Sequence, residues 1–159
     1  MTDYRTILLA EDSQADAEMA IDALREANLI NPIVHVEDGV EALDYLLRRG
    51  KFADRGEGMP AVLLLDIKMP RMDGLEVLQA IRDHDHLRCL PVVILSSSRE
   101  ESDLARSWDM GVNAYVVKPV DVDQFFQAVK TLGTFWAVIN QSPEQLAQQQ
   151  AALKAPQKA

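Results

Sequence analysis

Two rhythms of apolar residues run along the chain: short unbroken apolar runs, and longer segments whose apolar positions recur every three or four residues. Ile7-Leu8-Leu9-Ala10 is the first unbroken run, the pattern of a strand buried on both faces. It ends on Glu11-Asp12, after which Ser13-Gln14-Ala15-Asp16 has the S-x-x-D spacing of a capped helix start. Ala17, Ile21 and Leu24 then recur at i, i+4 and i+7 between charged residues, predicting a helix to about Ala27. Pro32 breaks it. Ile33-Val34-His35-Val36 reads as a second strand, and Asp38-Gly39 turns the chain into a helix whose buried stripe is Val40, Leu43, Leu46 and Leu47. From Arg48 to Pro60 there are three glycines, mixed charge and no period, which predicts a surface loop longer than most.

Leu63-Leu64-Leu65 is the third run, closed by Asp66 and then by Pro70 and Gly74. Asp73-Gly74-Leu75-Glu76 offers an acidic helix start, with Leu75, Leu78 and Ile81, and Val77 beside them, giving a helical period to about His84. Leu90 to Leu95 is a fourth strand, ending on Ser96-Ser97-Ser98. Ser98-Arg99-Glu100-Glu101 fits a capping box, and the helix behind it runs to about Met110 with Gly111 as its stop. Ala114-Tyr115-Val116-Val117 is strand five, closed by Lys118-Pro119. A last helix from about Asp121 carries Phe125, Val129, Leu132 and Trp136 at i, i+4, i+7 and i+11. Five strands alternating with five helices predict an α/β fold, a parallel sheet with right-handed crossovers and helices on both faces.

The length suits one domain, set here at residues 1–140, followed by a Gln- and Ala-rich extension, 141–159. Ser142-Pro143-Glu144-Gln145 can open a short helix there before a flexible tail. With 25 acidic and 16 basic residues, net charge −9, the surface is wrong for nucleic acid or anionic lipid. A lone Cys89 forms no internal disulfide, and the apolar run near the amino terminus is too short for a signal peptide or membrane span. A soluble cytoplasmic protein is expected. His84, Asp85, His86 and Cys89 offer metal-ligand types, but a polar helix end supplies these freely, and they read as a solvated turn.

Candidate chemistry gathers at strand ends. Ligands in open α/β sheets bind at the carboxyl edge, where the strand order reverses. With the doubly wound order 2-1-3-4-5 as template, that point falls between strands one and three, so Glu11, Asp12 and Asp66 converge there, with Ser96 and Lys118 on the neighbouring strand ends. Close carboxylates in a partly dry cleft raise a pKa or recruit a cation. Hard oxygen ligands in small number favour Mg²⁺. Each residue also has an ordinary reading: Asp66 as a turn residue, Tyr115 as a strand aromatic, Lys118 as a solvated charge.

Taken in order, Glu11-Asp12, Asp66-Ile67-Lys68-Met69-Pro70, Asp73-Gly74, Ser96 and Tyr115-Val116-Val117-Lys118-Pro119 resemble the receiver domain of two-component response regulators, over roughly residues 5 to 139. The resemblance implies a flavodoxin-like receiver fold with Asp66 as phosphoacceptor for a histidine kinase. Asp12, Asp66 and the Lys68 backbone carbonyl would bind Mg²⁺. Glu11 stands where the family more often has Asp, which leaves open whether it holds the ion directly or through water. Lys118 and the Ser97 backbone N–H would meet the phosphoryl oxygens, Pro119 would follow a cis peptide bond, and Ser96 with Tyr115 would switch the face made by helix four, strand five and helix five. Lys68 and Ser98 would govern the lifetime of the phosphate. The loop after helix two, Leu95-Ser96-Ser97-Ser98 and Phe135-Trp136 look like single-domain regulators of phytochrome histidine kinases.

A single helix cannot bury adjacent aromatics on one side, so part of the Phe125, Phe126, Phe135 and Trp136 set is expected to face a partner. A homodimer through helix four, strand five, helix five and the extension is the expectation. No enzyme beyond its own phosphotransfer and dephosphorylation is expected. One rival, an Asp-nucleophile phosphatase, needs a second Asp where Lys68 stands. A nucleotide-binding domain needs a glycine-rich turn after strand one that is absent. A phosphorylation-independent docking module would have no need of the acidic set with Ser96 and Lys118.

Overall fold

The computed structural model describes residues 5–56, 58–97, 101–118, 122–136 and 150–153. The elements are β1 (Ile7–Ala10), α1 (Gln14–Glu26), β2 (Ile33–Val36), α2 (Gly39–Leu47), a 3-10 turn (Gly50–Phe52), β3 (Val62–Leu65), α3 (Gly74–Asp83), β4 (Val92–Ser96), α4 (Glu101–Asp109), β5 (Ala114–Val117) and α5 (Val122–Thr134). All strand pairs are parallel, in the order β2-β1-β3-β4-β5, the order the site argument requires.

Alternation along the strands sorts the core into two layers, because successive side chains leave a strand on opposite faces. Ile7, Leu9, Leu64, Val93 and Leu95 pack with Ala17, Ala20 and Leu24 of α1 and Val129 of α5. Leu8, Leu63, Leu65 and Ile94 pack on the other face with Leu43 and Leu46 of α2 and Leu75, Leu78 and Ile81 of α3. Each such leucine, fully withdrawn from water, contributes about 2 kcal/mol. The central strands β1, β3 and β4 are fully buried, whereas the edge strands β2 and β5 are mostly half-buried.

Three readings shift. In α1 the buried residues are Ala17, Ala20, Ala23 and Leu24, with Ile21 only packed against that layer's margin. Alanine wins there because it lets the helix lie close to the sheet. In α2 the buried residues are Ala42, Leu43, Tyr45 and Leu46, not Val40 or Leu47. The region after α2 is more than an aperiodic loop. The Arg55 guanidinium donates to the Tyr45, Leu46, Gly56 and Gly58 carbonyls and stacks on the Tyr45 ring at 4.2 Å.

The turn after α3 buries Leu87 and Leu90 and exposes Asp85, His86 and Cys89. Gly111 takes φ +73° and closes α4. Phe135 is exposed, and its ring meets Trp136 edge-on at 5.0 Å between centroids. The Ser98 capping box, Pro119, the side chain of Phe125 and the predicted helix start at Ser142 lie outside the described residues; residues 150–153 are helical. Among the described residues no helix is long and apolar enough to cross a membrane.

Candidate functional site

Strand register assembles the pocket. Ala10 pairs with Leu65, and the Asp66 N–H donates to the Ala10 carbonyl at 3.0 Å, so Glu11 and Asp12 face the end of β3. One oxygen from each of Glu11, Asp12 and Asp66 lies within 4.8 Å of the others, which makes them the one such acidic cluster among the described residues. Glu11 and Asp66 are buried and Asp12 is exposed.

Lys118 completes the set. Leu9, Leu64 and Val116 belong to the layer beneath α1 and α5, and Glu11, Asp66 and Lys118 stand two residues further along the same strands. Side chains two apart share a face, so all three lean toward α1. Lys118 Nζ lies 2.6 Å from Glu11 Oε2, 2.9 Å from Asp16 Oδ2 and 3.4 Å from Asp66 Oδ2.

The S-x-x-D spacing places Asp16 in a capping box and gives no sign of its contact with Lys118. The first half of that box forms: Ser13 Oγ accepts the Asp16 N–H at 3.3 Å. The reciprocal half does not. The Ser13 N–H donates to Glu11 Oε1 at 3.0 Å, which leaves the Asp16 carboxylate to meet Lys118. The signal was an acidic residue in the first turn of a helix rising from the sheet's carboxyl edge, and propensity alone does not separate a cap from a pocket wall.

Charge is crowded here. Burial is the chief cause that pushes the Glu11 pKa up to about 7; the Asp66 charge adds to it, while the Lys118 hydrogen bond and the Ser13 N–H oppose it. Burial also disfavours the Lys118 ammonium, but its hydrogen bonds to Glu11 and Asp16, with the charge of Asp66, prevail and lift its pKa to about 12. One fixed cation thus stands among four acids. The remaining negative charge, carried by hard oxygens at close quarters, fits a small divalent ion held by Glu11, Asp12 and Asp66.

The other predicted residues surround this pocket. Ser96 is fully buried at the end of β4, and its carbonyl accepts the Lys118 N–H at 2.7 Å; Ser97 follows it and is exposed. Tyr115, half-buried opposite Ile94, packs against the α2–α3 layer. Lys68 reaches toward α4, its ammonium 3.8 Å from Asp103 Oδ2. Ser98 lies outside the described residues.

Two contacts fix the loop that follows Asp66. Arg71, at φ +63°, donates from Nε to Asp38 Oδ2 at 2.9 Å, and its Nη2 lies 2.8 Å from the same oxygen. Asp38 also caps α2 by accepting the Glu41 N–H. Burial alone would raise the Asp38 pKa, but the Glu41 N–H and the Arg71 guanidinium hold it below the usual range. Gly74 packs so closely that a Cβ there would lie 2.1 Å from the Asp66 carbonyl oxygen. The sequence pattern marks Asp38 as a turn and Gly74 as part of a helix start and of the receiver-like motif, and neither contact is legible from it.

Known proteins share this fold. The structure of the bacteriophytochrome response regulator AtBRR superposes with TM-score 0.72 at 54% identity, covering 88% of this chain and all of that one. The phosphorylated cyanobacterial phytochrome response regulator RcpA superposes with TM-score 0.82 at 37% identity, covering 89% and 99%. Response regulator Rcp1 of Synechocystis sp. is 32% identical over 132 residues, 83% of this chain and 88% of that protein. The Mn²⁺-bound structure of Rcp1 gives a TM-score of 0.81 at 31% identity, over 87% of this chain and 99% of that one. Residues 7–130 match the family model of the response regulator receiver domain, and the chain belongs to that family.

Proposed function

We propose that Asp66 accepts a phosphoryl group from a phosphohistidine of a partner sensor histidine kinase, in a Mg²⁺-dependent reaction. The observation that carries this reading is the meeting of three carboxylates within 4.8 Å beside a lysine 3.4 Å from Asp66. An Asp66 oxygen attacks phosphorus as the phosphorus–nitrogen bond breaks, and the electron pair returns to the imidazole nitrogen. Phosphoryl transfer depends mainly on position and charge. Mg²⁺, when bound, supplies positive charge to the transferring oxygens. Asp12, the carboxylate open to solvent, and Asp66 would hold it together with the Lys68 carbonyl, and buried Glu11 would complete the acidic set. Lys118 and the Ser97 N–H would meet the phosphoryl oxygens.

Signalling follows from the added charge. Ser96 would bond the phosphoryl group and Tyr115 would turn inward, biasing a pre-existing equilibrium of the α4–β5–α5 face. Leu104 and Trp108, both exposed on α4, support that face as a contact surface. Exposed Phe135 at the end of α5 supports a homodimer that also uses residues 141–159. The phytochrome regulators among the similar structures favour a bacteriophytochrome as the kinase. Lys68 and Ser98 would set how long the phosphate survives, and the protein would perform no other turnover.

Intact mass after acetyl phosphate and Mg²⁺ tests the reading. A single phosphate adduct is expected, absent in Asp66→Asn and strongly reduced in Asp12→Ala. An adduct that persists in Asp66→Asn overturns the acceptor assignment. Light scattering at tens of micromolar, with and without phosphate, checks the dimer; a monomer in both states would sink it.

A further inference from the structure

The Lys118 ammonium stands where it competes with any cation for the pocket's carboxylates, since it already holds Glu11 at 2.6 Å and lies 3.4 Å from Asp66. Its third partner differs in kind. Asp16 sits on α1, lies outside the three-carboxylate cluster, and is the more open side chain, about one third exposed where those of Glu11 and Asp66 are nearly buried. An ammonium bound only to Glu11 and Asp66 would occupy the very oxygens a divalent ion needs. One that is also anchored from the α1 side is held at the pocket's margin, able to shift its weight to Asp16 without leaving.

We infer that Asp16 is a positioning residue: it tethers the Lys118 ammonium toward α1 and so limits its competition with Mg²⁺ for Glu11 and Asp66. The inference rests on the receiver reading above. It assigns a task to a carboxylate that the acceptor chemistry does not use. The helix cap is no obstacle to testing it, because the Ser13 cap takes the backbone N–H of Asp16, which substitution of the side chain leaves in place.

Titration calorimetry with MgCl₂ on the unphosphorylated full chain decides the matter, with urea unfolding of each variant as a control for folding. Asp16→Asn is expected to raise the Kd for Mg²⁺ about three- to fivefold, the size of a partly exposed ion pair. Asp16→Glu is expected to restore it to within about twofold. In a Lys118→Ala background Asp16→Asn is expected to change nothing, because the residue acts through the lysine. An unchanged Kd in Asp16→Asn, or the same loss with and without Lys118, overturns the inference; the second result would mean that Asp16 acts only as a distant negative charge. Wild-type protein that binds no Mg²⁺ would overturn the metal-dependent receiver reading and this inference with it.

Discussion

Lys68 and Asp103 form an ion pair, Nζ to Oδ2 at 3.8 Å, that links the loop after β3 to the first turn of α4. Lys68 stands two residues beyond the proposed acceptor and is largely exposed, while Asp103 is buried. A phosphoryl group on Asp66 would therefore compete with Asp103 for the same ammonium. Asp103→Asn is expected to release Lys68 toward the phosphate and lengthen its lifetime about two- to fivefold, and Lys68→Ala is expected to shorten it. Loss of the adduct followed by intact mass checks both; a lifetime in Asp103→Asn equal to wild type refutes the shared-lysine account.

Gly74 sits against the backbone of Asp66 and Ile67. An alanine methyl would lie 2.1 Å from the Asp66 carbonyl oxygen and 2.8 Å from the Ile67 Cα, and neither can yield as a flexible side chain can. Gly74→Ala is expected to cost about 3 kcal/mol or more and to weaken Mg²⁺ binding by displacing Asp66. Urea unfolding and calorimetry read the two effects.

Arg82 braces the far end of the sheet. Its guanidinium donates to the carbonyls of Arg88, Leu90, Met110 and Gly111, joining α3 to the turn before β4 and to the turn before β5. Arg82→Ala is expected to destabilise the fold by about 2–4 kcal/mol, through lost charge-assisted bonds and lost packing of the stem. Arg82→Lys should recover only a minor part, since a compact ammonium cannot span the planar fork. Denaturant midpoints provide the comparison.

Glu11 makes stability depend on pH when metal is withheld. Its folded pKa of about 7 lies above the ordinary 4.5, so between these values the native chain keeps a proton that the unfolded chain has lost. Stability is therefore fully present below about 4.5 and falls as pH rises through 7. Lys118, lifted to about 12, adds no slope in that range. In EDTA the urea midpoint is expected to be lower at pH 7.5 than at pH 5, by an amount reduced in Glu11→Gln and in excess Mg²⁺. A midpoint that rises across the same interval contradicts this.

The strands were legible because a parallel sheet buried on both faces needs unbroken apolar runs, and Ile7–Ala10 and Leu63–Leu65 are nothing else. Parity did the rest: once Leu9, Leu64 and Val116 share a layer, Glu11, Asp66 and Lys118 share a side. What escaped were contacts between elements distant in sequence. The helix period in α1 pointed to Ile21, yet Ala20 and Ala23 hold the buried places because close helix–sheet approach selects small residues. Asp16, Arg71 and Arg82 carry polar side chains whose default is solvent, and nothing local to their sequence reveals the carboxylate or carbonyls each one reaches.

Lys118 and Glu11 are separated by 107 residues. During synthesis the acids of the amino-terminal half therefore emerge long before their counterion, and an unfinished chain holds only mutual repulsion at that spot. Fraying of β5, an outermost strand, would return the folded protein to the same unbalanced condition. On the proposed reading, readiness to receive phosphate and closure of the sheet's last edge would be one event.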